Sequence, residues 1–565
     1  MNPRIQLCVC LGVSVLLGLC EMEVRAADWP MLGRDGTRNA VSPEKNPPLE
    51  WSIDKSRNIK WKARLGYRTF STPIVSGGQV YVGANDAGGH VKPFRDRDWY
   101  GYLLCFRASD GKFLWHYSAK ELEGYGWRYS HPGLGSTPLV DGNRLWFVSN
   151  RWEVLCLDTR GFHDKENDGP YVDETAKGPT DADIIWRYDL RKELKVHPHS
   201  YIFSLASRQC SPVSYGNRLY IVTGNGTEQR SDKIPSPKAP SLVCFNKKTG
   251  KVLWTDASPG ENIKMGQFGS PLVAEVDGKA QVIVGQGDGW VRSFDAATGK
   301  LIWKFDINSK ESQWLFRGSQ GTRNSIPATP AFYKGRVYIG SGHVGGYEGP
   351  GRLVCIDPTK TGDISSEMAV DAKGRPLPQR RFQAVVRKNG EKAICNPNSG
   401  LIWEFTTSYQ KKNGKDDFEE LFRRTFHRTL SSVVVKNDLL IAVDSSGLVH
   451  CFHARTGKRF WVYDLWARAW GSPIIADGWV YVPDEDGHVK IFRLSADRDV
   501  AMKKVKGKYE PQATMRVDGA IDNSPVIAKG VLYIASRHLW AITKPRGKHP
   551  PQQRSNRRPS LQRKN

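Results

Sequence analysis

The chain has 565 residues, a net charge of +25, 19 tryptophans and 55 glycines. Its length alone would suggest several domains, but this richness in aromatic residues and glycine is typical of many short strands joined by tight turns. The charge favours an acidic partner, a protein or an anionic polymer or surface, and the lack of any recognition motif argues against specific nucleic-acid binding.

Residues 1–26 have the pattern of a secretory signal peptide. Arg4 precedes a 13-residue apolar run at 7–19, which is too short to span a bilayer. Val24 and Ala26 are the small residues expected before a cleavage site. We therefore expect cleavage after Ala26 and a periplasmic or secreted protein without a transmembrane segment. An outer-membrane lipoprotein anchored at Cys20 is the less favoured alternative, because Leu19 stands where a small residue is expected.

After a leader at 27–57, one hairpin phrase occurs eight times. Each copy has Ser/Thr-Pro or its equivalent, an apolar run, a turn and a second apolar strand. The copies start at residues 71, 136, 211, 270, 329, 431, 472 and 524. Eight such units predict an all-β fold, an eight-bladed β-propeller with four antiparallel strands per blade.

A second phrase supplies the other two strands of each blade. In VRSFDAATGKLIW (291–303), Asp295 can accept N–H groups across the turn and Gly299 can take a positive φ. Trp303 closes the phrase, and a tryptophan recurs at this position of strand D in other blades, where we expect it to fill the gap between blades: Trp61, Trp115, Trp186, Trp254, Trp303, Trp403 and Trp461. The phrase therefore indicates blade construction and not a cofactor site.

The two ends of the repeat region complement each other. The last unit lacks a fourth strand, and residues 58–65 form a strand without partners of its own. We predict that this N-terminal strand joins the last blade and closes the ring, which removes the exposed sheet edges of an open array. The propeller then covers 58–543, and 544–565 is a basic tail expected to be disordered.

Five of the seven cysteines beyond the signal share one position of the repeat. Equivalent positions in neighbouring blades lie too far apart for a disulfide, so these cysteines are expected to be small buried residues. Cys210 and Cys395 are the two outside this pattern, and nothing in the sequence pairs them.

Four insertions interrupt the repeat, near 89–102, 159–183, 225–241 and 365–398. The second contains DKENDG, in which Asp164, Glu166 and Asp168 alternate before a glycine, as at the start of a calcium loop. Thr175 falls where such loops place a bidentate Glu, so a solvated acidic loop is the favoured alternative.

Basic residues recur just before the first strand of several blades, where the chain lies near the central channel. They form a candidate anion site at the channel mouth, because guanidinium groups bind carboxylate or phosphate with two hydrogen bonds. The alternative is a set of solvated loop charges. The residues are Arg68, His131, Arg208, Arg323, Arg428 and Arg468.

The phrase FDAATGKLIW resembles the PQQ-binding-like propeller repeat of quinoprotein alcohol dehydrogenases and of the propeller lipoprotein of the outer-membrane β-barrel assembly machinery. The resemblance covers 58–543 and implies the fold more strongly than the function, since the family includes both enzymes and scaffolds. The chain lacks the adjacent cysteines, the C-x-x-C-H motif and the calcium ligands of those dehydrogenases. We therefore expect a monomeric, non-catalytic scaffold or binding protein without a cofactor. A divergent dehydrogenase dependent on PQQ and calcium is the alternative.

Overall fold

Eight sheets, each with four antiparallel strands, form the blades of a propeller, which confirms the predicted fold; two of the sheets gain a fifth, parallel strand. The computed structural model describes residues 27–91, 100–122, 133–199, 210–228, 231–315, 321–342, 349–407 and 417–544. The predicted signal peptide, and the basic tail beyond Lys544, lie outside these residues. Strands A to D of a blade run from the central channel to the rim.

The first four blades follow one another along the chain. Blade 1 contains β3 (Ile74–Ser76), β4 (Gln79–Ala84), β5 (Tyr100–Arg107) and β6 (Phe113–Lys120). Blade 2 contains β7 (Leu139–Asp141), β8 (Arg144–Val148), β9 (Glu153–Asp158) and β10 (Ile184–Asp189). Blade 3 contains β11 (Val213–Tyr215), β12 (Arg218–Val222), β13 (Leu242–Asn246) and β14 (Val252–Asp256). Blade 4 contains β15 (Leu272–Val276), β16 (Lys279–Gly285), β17 (Trp290–Asp295) and β18 (Leu301–Asp306).

The next four blades include the strand from the N-terminal side. Blade 5 contains β19 (Ala331–Tyr333), β20 (Arg336–Gly340), β21 (Leu353–Ile356) and β25 (Leu401–Phe405). Blade 6 contains β26 (Val434–Lys436), β27 (Leu439–Val443), β28 (Leu448–His453) and β29 (Arg459–Asp464). Blade 7 contains β30 (Ile474–Ala476), β31 (Trp479–Pro483), β32 (His488–Arg493) and β35 (Ala513–Arg516). Blade 8 contains β36 (Val526–Ala528), β37 (Val531–Ala535), β38 (His538–Ile542) and β2 (Ile59–Arg64), which pairs antiparallel with β38.

The remaining elements are short. Two insertions form hairpins, β23 (Glu367–Val370) with β24 (Lys392–Cys395) and β33 (Met502–Val505) with β34 (Lys508–Pro511). Two further strands are β1 (Val41–Ser42) and β22 (Gly362–Asp363). The α-helices are α1 (Leu190–Leu194), α2 (Phe418–Arg424) and α3 (Arg498–Ala501), and 3-10 turns span Gly161–Asp164, Gly260–Asn262 and Arg387–Asn389. Within the described residues, no helix has the length and apolar character needed to cross a membrane.

A ring of hydroxyl groups links the blades near the channel and explains the repeated Ser/Thr-Pro. At seven of the eight junctions between blades, the backbone N–H at this position donates to the hydroxyl at the same position of the next blade, over 2.9 to 3.3 Å. The described residues show no such bond from Thr329 of blade 5 to Ser432 of blade 6. The bond from Ser524 to Thr72 joins blade 8 to blade 1. The participating residues are Thr72, Thr137, Ser211, Ser270, Thr329, Ser432, Ser472 and Ser524.

The strand D tryptophans link neighbouring blades farther out. The indole N–H of Trp254 donates to the Ala296 carbonyl of the next blade at 3.3 Å, and five other tryptophans make the same bond over 2.7 to 3.2 Å. In the turn that receives Trp254, the Asp295 carboxylate accepts the N–H groups of Ala297 and Thr298. The repeated phrase therefore builds the contacts between blades.

The described cysteines are free thiols, and six of the seven are buried. Burial raises the pKa of Cys244 and Cys451 to about 12, so both thiols stay protonated at neutral pH. Cys395, on β24, is exposed.

Candidate functional site

The central channel is occupied by the leader, which contacts strand A or the residues just before it in every blade. Residues 28–44, which we call the hub segment, exchange hydrogen bonds with Val75 in blade 1 and Val435 in blade 6. β1 runs parallel to β30 of blade 7. The other contacts are Pro30 with Val140, Arg38 with Ser211, Gly36 with Val273, Thr37 with Phe332 and Ser42 with Ile527.

The centre of the hub segment is the guanidinium of Arg38. It is 1% exposed and donates to the carbonyls of Leu32, Ser211, Pro212 and Pro271 at 2.8 to 2.9 Å. Burial lowers the pKa of Arg38 to about 10, so the group remains charged at neutral pH. The sequence identified 27–57 as a leader, but nothing in its local pattern indicated contacts with all eight blades.

Segments that precede the A strands also bury apolar side chains. A separate cluster is formed by residues of blades 4 to 7: Met265, Phe268, Trp314, Leu430 and Trp470. Together with the hub segment, this cluster gives the channel a packed interior of this chain's own residues.

Four of the six residues predicted for an anion site at the mouth lie within the described chain. Arg323 and Arg428 are each 1% exposed, and Arg323 is paired with Asp306 at 2.8 Å. Arg428 donates to the Asn324 side chain and the Gly321 carbonyl. These two guanidiniums therefore bind internal acceptors.

The other members of the predicted anion site are more accessible or undescribed. Arg68 binds the buried Asp522 carboxylate at 2.7 Å, and Arg468 is exposed. His131 and Arg208 lie outside the described residues. The anion site at the mouth stays a prediction. Two of its arginines, Arg323 and Arg428, are buried and bonded to internal acceptors.

The acidic residues of the predicted calcium loop face arginines. The Asp164 carboxylate lies 3.0 Å from Arg160, and Asp168 lies 3.5 Å from Arg144. Glu166 is the most exposed of the three, 3.9 Å from Arg160. The described residues include no group of three His, Cys, Asp or Glu side chains placed to hold a metal ion. The calcium loop thus stays a prediction, and these ion pairs fit the solvated acidic loop.

A buried ionic network in blade 4 was not anticipated from the sequence. Asp306 accepts from Lys310 and Arg323, and Asp288 pairs with Arg292 at 2.6 Å. Lys264 donates to the Asp288 carbonyl, and burial, together with repulsion from Arg323, lowers the pKa of Lys264 to about 7. These residues are spread over positions 264 to 323, so no local sequence motif predicts the network.

In and beside this network, four buried donors have no hydrogen-bond partner among the described residues: Gln267 Nε2, Gln286 Nε2, Trp290 Nε1 and Arg323 Nε. Buried donors of this kind are usually satisfied by ordered water or an anion.

The groove with the most distinctive chemistry lies on the rim between blades 6 and 7. We call it the rim groove; its volume is about 1120 Å³. β29 forms one side, and the β33–β34 hairpin and α2 contribute its walls. Its charged lining residues are Arg423, Arg424, Lys458, Arg459, Arg498 and Lys508 against Glu420, Asp464 and Glu510.

Aromatic rings alternate with these charges. The guanidinium carbon of Arg498 lies 3.8 Å from the centre of the Tyr509 ring, and Trp466 is 76% exposed. Burial, together with repulsion from Arg424, lowers the pKa of Arg459 to about 10. A groove with twice as many cations as carboxylates favours an acidic ligand, and exposed aromatic residues are typical anchors of protein interfaces. Sequence reasoning missed this groove because its residues come from segments that are far apart in the sequence, from 405 to 510.

The dehydrogenase alternative requires residues that fit PQQ and calcium. The cysteines at 105, 156, 210, 244, 355, 395 and 451 are separated in the sequence, so none can form the adjacent pair that the resemblance implies. The channel is lined by the hub segment and the apolar cluster. The described residues therefore do not fit this cofactor pair.

Comparison with known proteins gives one family match. The model of a family described as outer membrane protein assembly factor BamB matches residues 175–403 and 388–533, which is more than half of the chain.

Two curated proteins are similar over part of their length. Quinohemoprotein alcohol dehydrogenase ADH IIB of Pseudomonas putida is 24% identical over 195 residues, 32% of this chain and 25% of that protein. Tetrathionate hydrolase of Acidithiobacillus ferrooxidans is 21% identical over 353 residues, 55% of this chain and 62% of that protein. The chain thus spans less than two thirds of either relative.

Two of the solved structures that are similar to this chain are a BamB and a quinohemoprotein alcohol dehydrogenase. BamB from Moraxella catarrhalis has a TM-score of 0.44 and 14% identity, over 83% of this chain and 98% of that chain. Quinohemoprotein alcohol dehydrogenase from Comamonas testosteroni has a TM-score of 0.42 and 14% identity, over 93% of this chain and 81% of that chain.

Proposed function

Since the chain belongs to the propeller family described as outer membrane protein assembly factor BamB, we propose that it is an exported, non-catalytic protein that binds a partner protein. Export rests on the signal-like residues 1–26 and leads to the periplasm or the cell exterior. The family includes a protein named for assembly, which supports a scaffold role without identifying the partner.

The rim groove is the observation that carries this proposal. It combines a volume of about 1120 Å³ with the exposed Trp466 and an excess of cations, whereas the A strands that line the channel are bonded to the chain's own hub segment. A binding protein needs an accessible, chemically distinctive surface, and it needs no reactive centre. The groove meets that requirement for an acidic partner.

A photo-crosslinking amino acid at position 466 tests the proposal in cells that produce the protein. We expect a specific protein adduct from this position and none from position 253, where Leu253 is 44% exposed on β14 of blade 3. The adduct should weaken when Lys458 and Lys508, both exposed in the groove, are changed to Glu.

A matched control uses Lys251→Glu with Lys300→Glu, which alters the same turn position in blades 3 and 4. Equal adducts from positions 466 and 253, or equal effects of the two lysine pairs, would contradict the proposal. An adduct with an acidic polysaccharide would replace the protein partner by an anionic polymer.

The dehydrogenase alternative is tested on the same purified protein. It is mixed with PQQ and Ca²⁺ and assayed for quinone absorbance and for dye-linked alcohol oxidation. We expect neither signal, and turnover would overturn the non-catalytic proposal.

A further inference from the structure

Three blades have a long connection between strands C and D, and each connection lies against the preceding blade. These connections are 159–183 in blade 2, 357–400 in blade 5 and 494–512 in blade 7. They face strand D of blades 1, 4 and 6, respectively. Strand D is the outer edge of a blade, and its outward N–H and C=O groups can pair with another chain.

In blades 1 and 4 the connection covers this edge in the same register. His116 forms a parallel bridge with Asp181: its N–H donates to Thr180 and its carbonyl accepts from Ala182, both at 2.9 Å. In blade 4, β22 runs parallel to β18, with Lys304 opposite Asp363, and the Ile364 N–H donates to the Lys304 carbonyl at 2.9 Å. Each covered residue directly follows the strand D tryptophan.

In blade 6 the equivalent edge is left open. Val462 follows Trp461 and pairs with His450 of β28, as His116 pairs with Leu104 and Lys304 with Arg292. The N–H and C=O of Val462 therefore point outward, and they have no hydrogen-bond partner among the described residues. The connection of blade 7 folds into the β33–β34 hairpin instead, and the rim groove lies between that hairpin and β29.

The side chain at this position also distinguishes blade 6. A polar or charged side chain protects an exposed sheet edge from association. The eight residues, from blade 8 and then blades 1 to 7, are Lys62, His116, Arg187, Thr255, Lys304, Glu404, Val462 and Thr514. Only Val462 is apolar, so the edge beside the groove lacks this protection.

The two internal covering segments indicate what kind of chain would fit. Each places an aspartate at the paired position, followed by an apolar residue: Asp181 and Ala182, Asp363 and Ile364. Both apolar side chains are buried. The six cations of the rim groove suit an acidic residue at the paired position of a third segment.

We propose that the partner protein inserts an extended segment into the rim groove as a parallel strand on β29, with an acidic residue opposite Val462 followed by an apolar residue. This deepens the proposed function and rests on it. The six residues of β29 offer about 20 Å of strand edge, enough for a short linear motif.

Random 12-residue peptides displayed on phage and selected on the full-length protein test this inference. We expect selected sequences with Asp or Glu followed by an apolar residue. Val462→Pro removes only an outward donor, a change that edge strands tolerate, and should weaken binding of a selected synthetic peptide at least tenfold.

The matched control is Thr255→Pro, which makes the same change at the same position of blade 3 and should leave binding unchanged. If Val462→Pro fails to fold, methylation of alternate backbone nitrogens in the peptide removes the strand hydrogen bonds from the other side. Hydrogen exchange in residues 459–464 should slow when the unmodified peptide binds.

Selection of neutral or basic sequences, no enrichment at all, or equal binding to Val462→Pro would each overturn strand addition. Heparin binding that is lost in the groove lysine variant but kept in Val462→Pro, without any selected peptide, would identify a polyanion site instead. If crosslinking from position 466 succeeds while Val462→Pro has no effect on it, the binding function stands and strand addition is wrong. If both fail, both proposals are wrong.

Discussion

At the scale of single residues, Arg38 binds the hub segment to two adjacent blades. Its guanidinium supplies hydrogen bonds to four carbonyls, and the acceptors at Ser211 and Pro271 lie in blades 3 and 4. Removing this donor leaves buried carbonyls unsatisfied, and each such group costs about 1 to 3 kcal/mol.

We expect Arg38→Met to lower the free energy of unfolding by about 3 to 5 kcal/mol, because several buried carbonyls lose their donor at once. Urea unfolding followed by tryptophan fluorescence measures this loss. Arg34→Met, at an arginine of the same segment whose side chain is 33% exposed, should cost less than about 1 kcal/mol. Equal effects at the two positions would contradict the central role of Arg38.

His199 links stability to pH. Its ring is 3% exposed, and Nδ1 lies 3.0 Å from both the Thr227 carbonyl and the Thr227 hydroxyl. Burial lowers the pKa of His199 to about 4, and the neighbouring His197 contributes in the same direction. The unfolded chain binds this proton near pH 6.5, so stability is lost as pH falls from about 6.5 to about 4.

The pKa of His199 thus differs by roughly 2.5 between the unfolded and the folded chain. Proton linkage then lowers the free energy of unfolding by about 3 kcal/mol at pH 4. His199→Gln should remove that part of the pH dependence between pH 6.5 and 4, because an amide does not titrate there. The measurement is urea unfolding at a series of pH values, compared with His163→Gln at an exposed position. An unchanged slope in His199→Gln would show that the ring is not neutral in the folded state.

At the scale of elements, the turn between strands C and D must fit both its own backbone geometry and the tryptophan of the preceding blade. Gly299 has a φ of +75°, and a Cβ built there would lie 2.6 Å from the Trp254 ring of blade 3. The same close approach occurs between Gly250 and Trp186 and between Gly457 and Trp403. A glycine is therefore required at this position for two reasons: the positive φ of the turn, and the lack of space for a Cβ beside the tryptophan ring.

Gly299→Ala should cost more than Gly278→Ala, because Gly278 has nearly the same φ of +74° but no atom within 4 Å of a built Cβ. Backbone strain accounts for about 1 to 2 kcal/mol in both variants. The contact with Trp254 adds about 1 to 3 kcal/mol to the first. Parallel urea titrations give the difference, and equal losses would mean that the tryptophan moves aside freely.

The elements also show which features a sequence can reveal. Hairpins, turns and the tryptophan position repeat locally, so VRSFDAATGKLIW predicted both a turn and a contact between blades. The position of Arg323 and Arg428 before strand A was also read from spacing, but spacing did not reveal that Asp306 and Asn324 hold their guanidiniums inside. The open edge at Val462 depends on how the connection of the next blade folds, which its own strand cannot indicate.

At the scale of the whole molecule, the hub segment connects all eight blades of the ring to one another. Blades contact mainly their neighbours, as in other repeat proteins. Residues 28–44 contact all eight, across separations such as that between Asn39 and Val435, 396 residues apart. Contacts at such distances carry no local sequence signal, which is why the leader was recognised while its place in the channel was not.

If the hub segment stabilises the ring as a unit, it should do so even when it is not covalently attached. A chain that begins at residue 46 should unfold at lower urea concentration than the chain that begins at residue 27, because the inner faces of the A strands lose their partners. A synthetic peptide of residues 27–45 added in excess should restore stability by mass action, in proportion to the logarithm of its concentration. The same peptide with Arg38→Ala should restore much less, since it lacks the donor to four carbonyls. Equal rescue by both peptides would assign the effect to backbone pairing at β1 and Trp29 alone, and an unchanged midpoint on truncation would mean that the eight blades close without their hub.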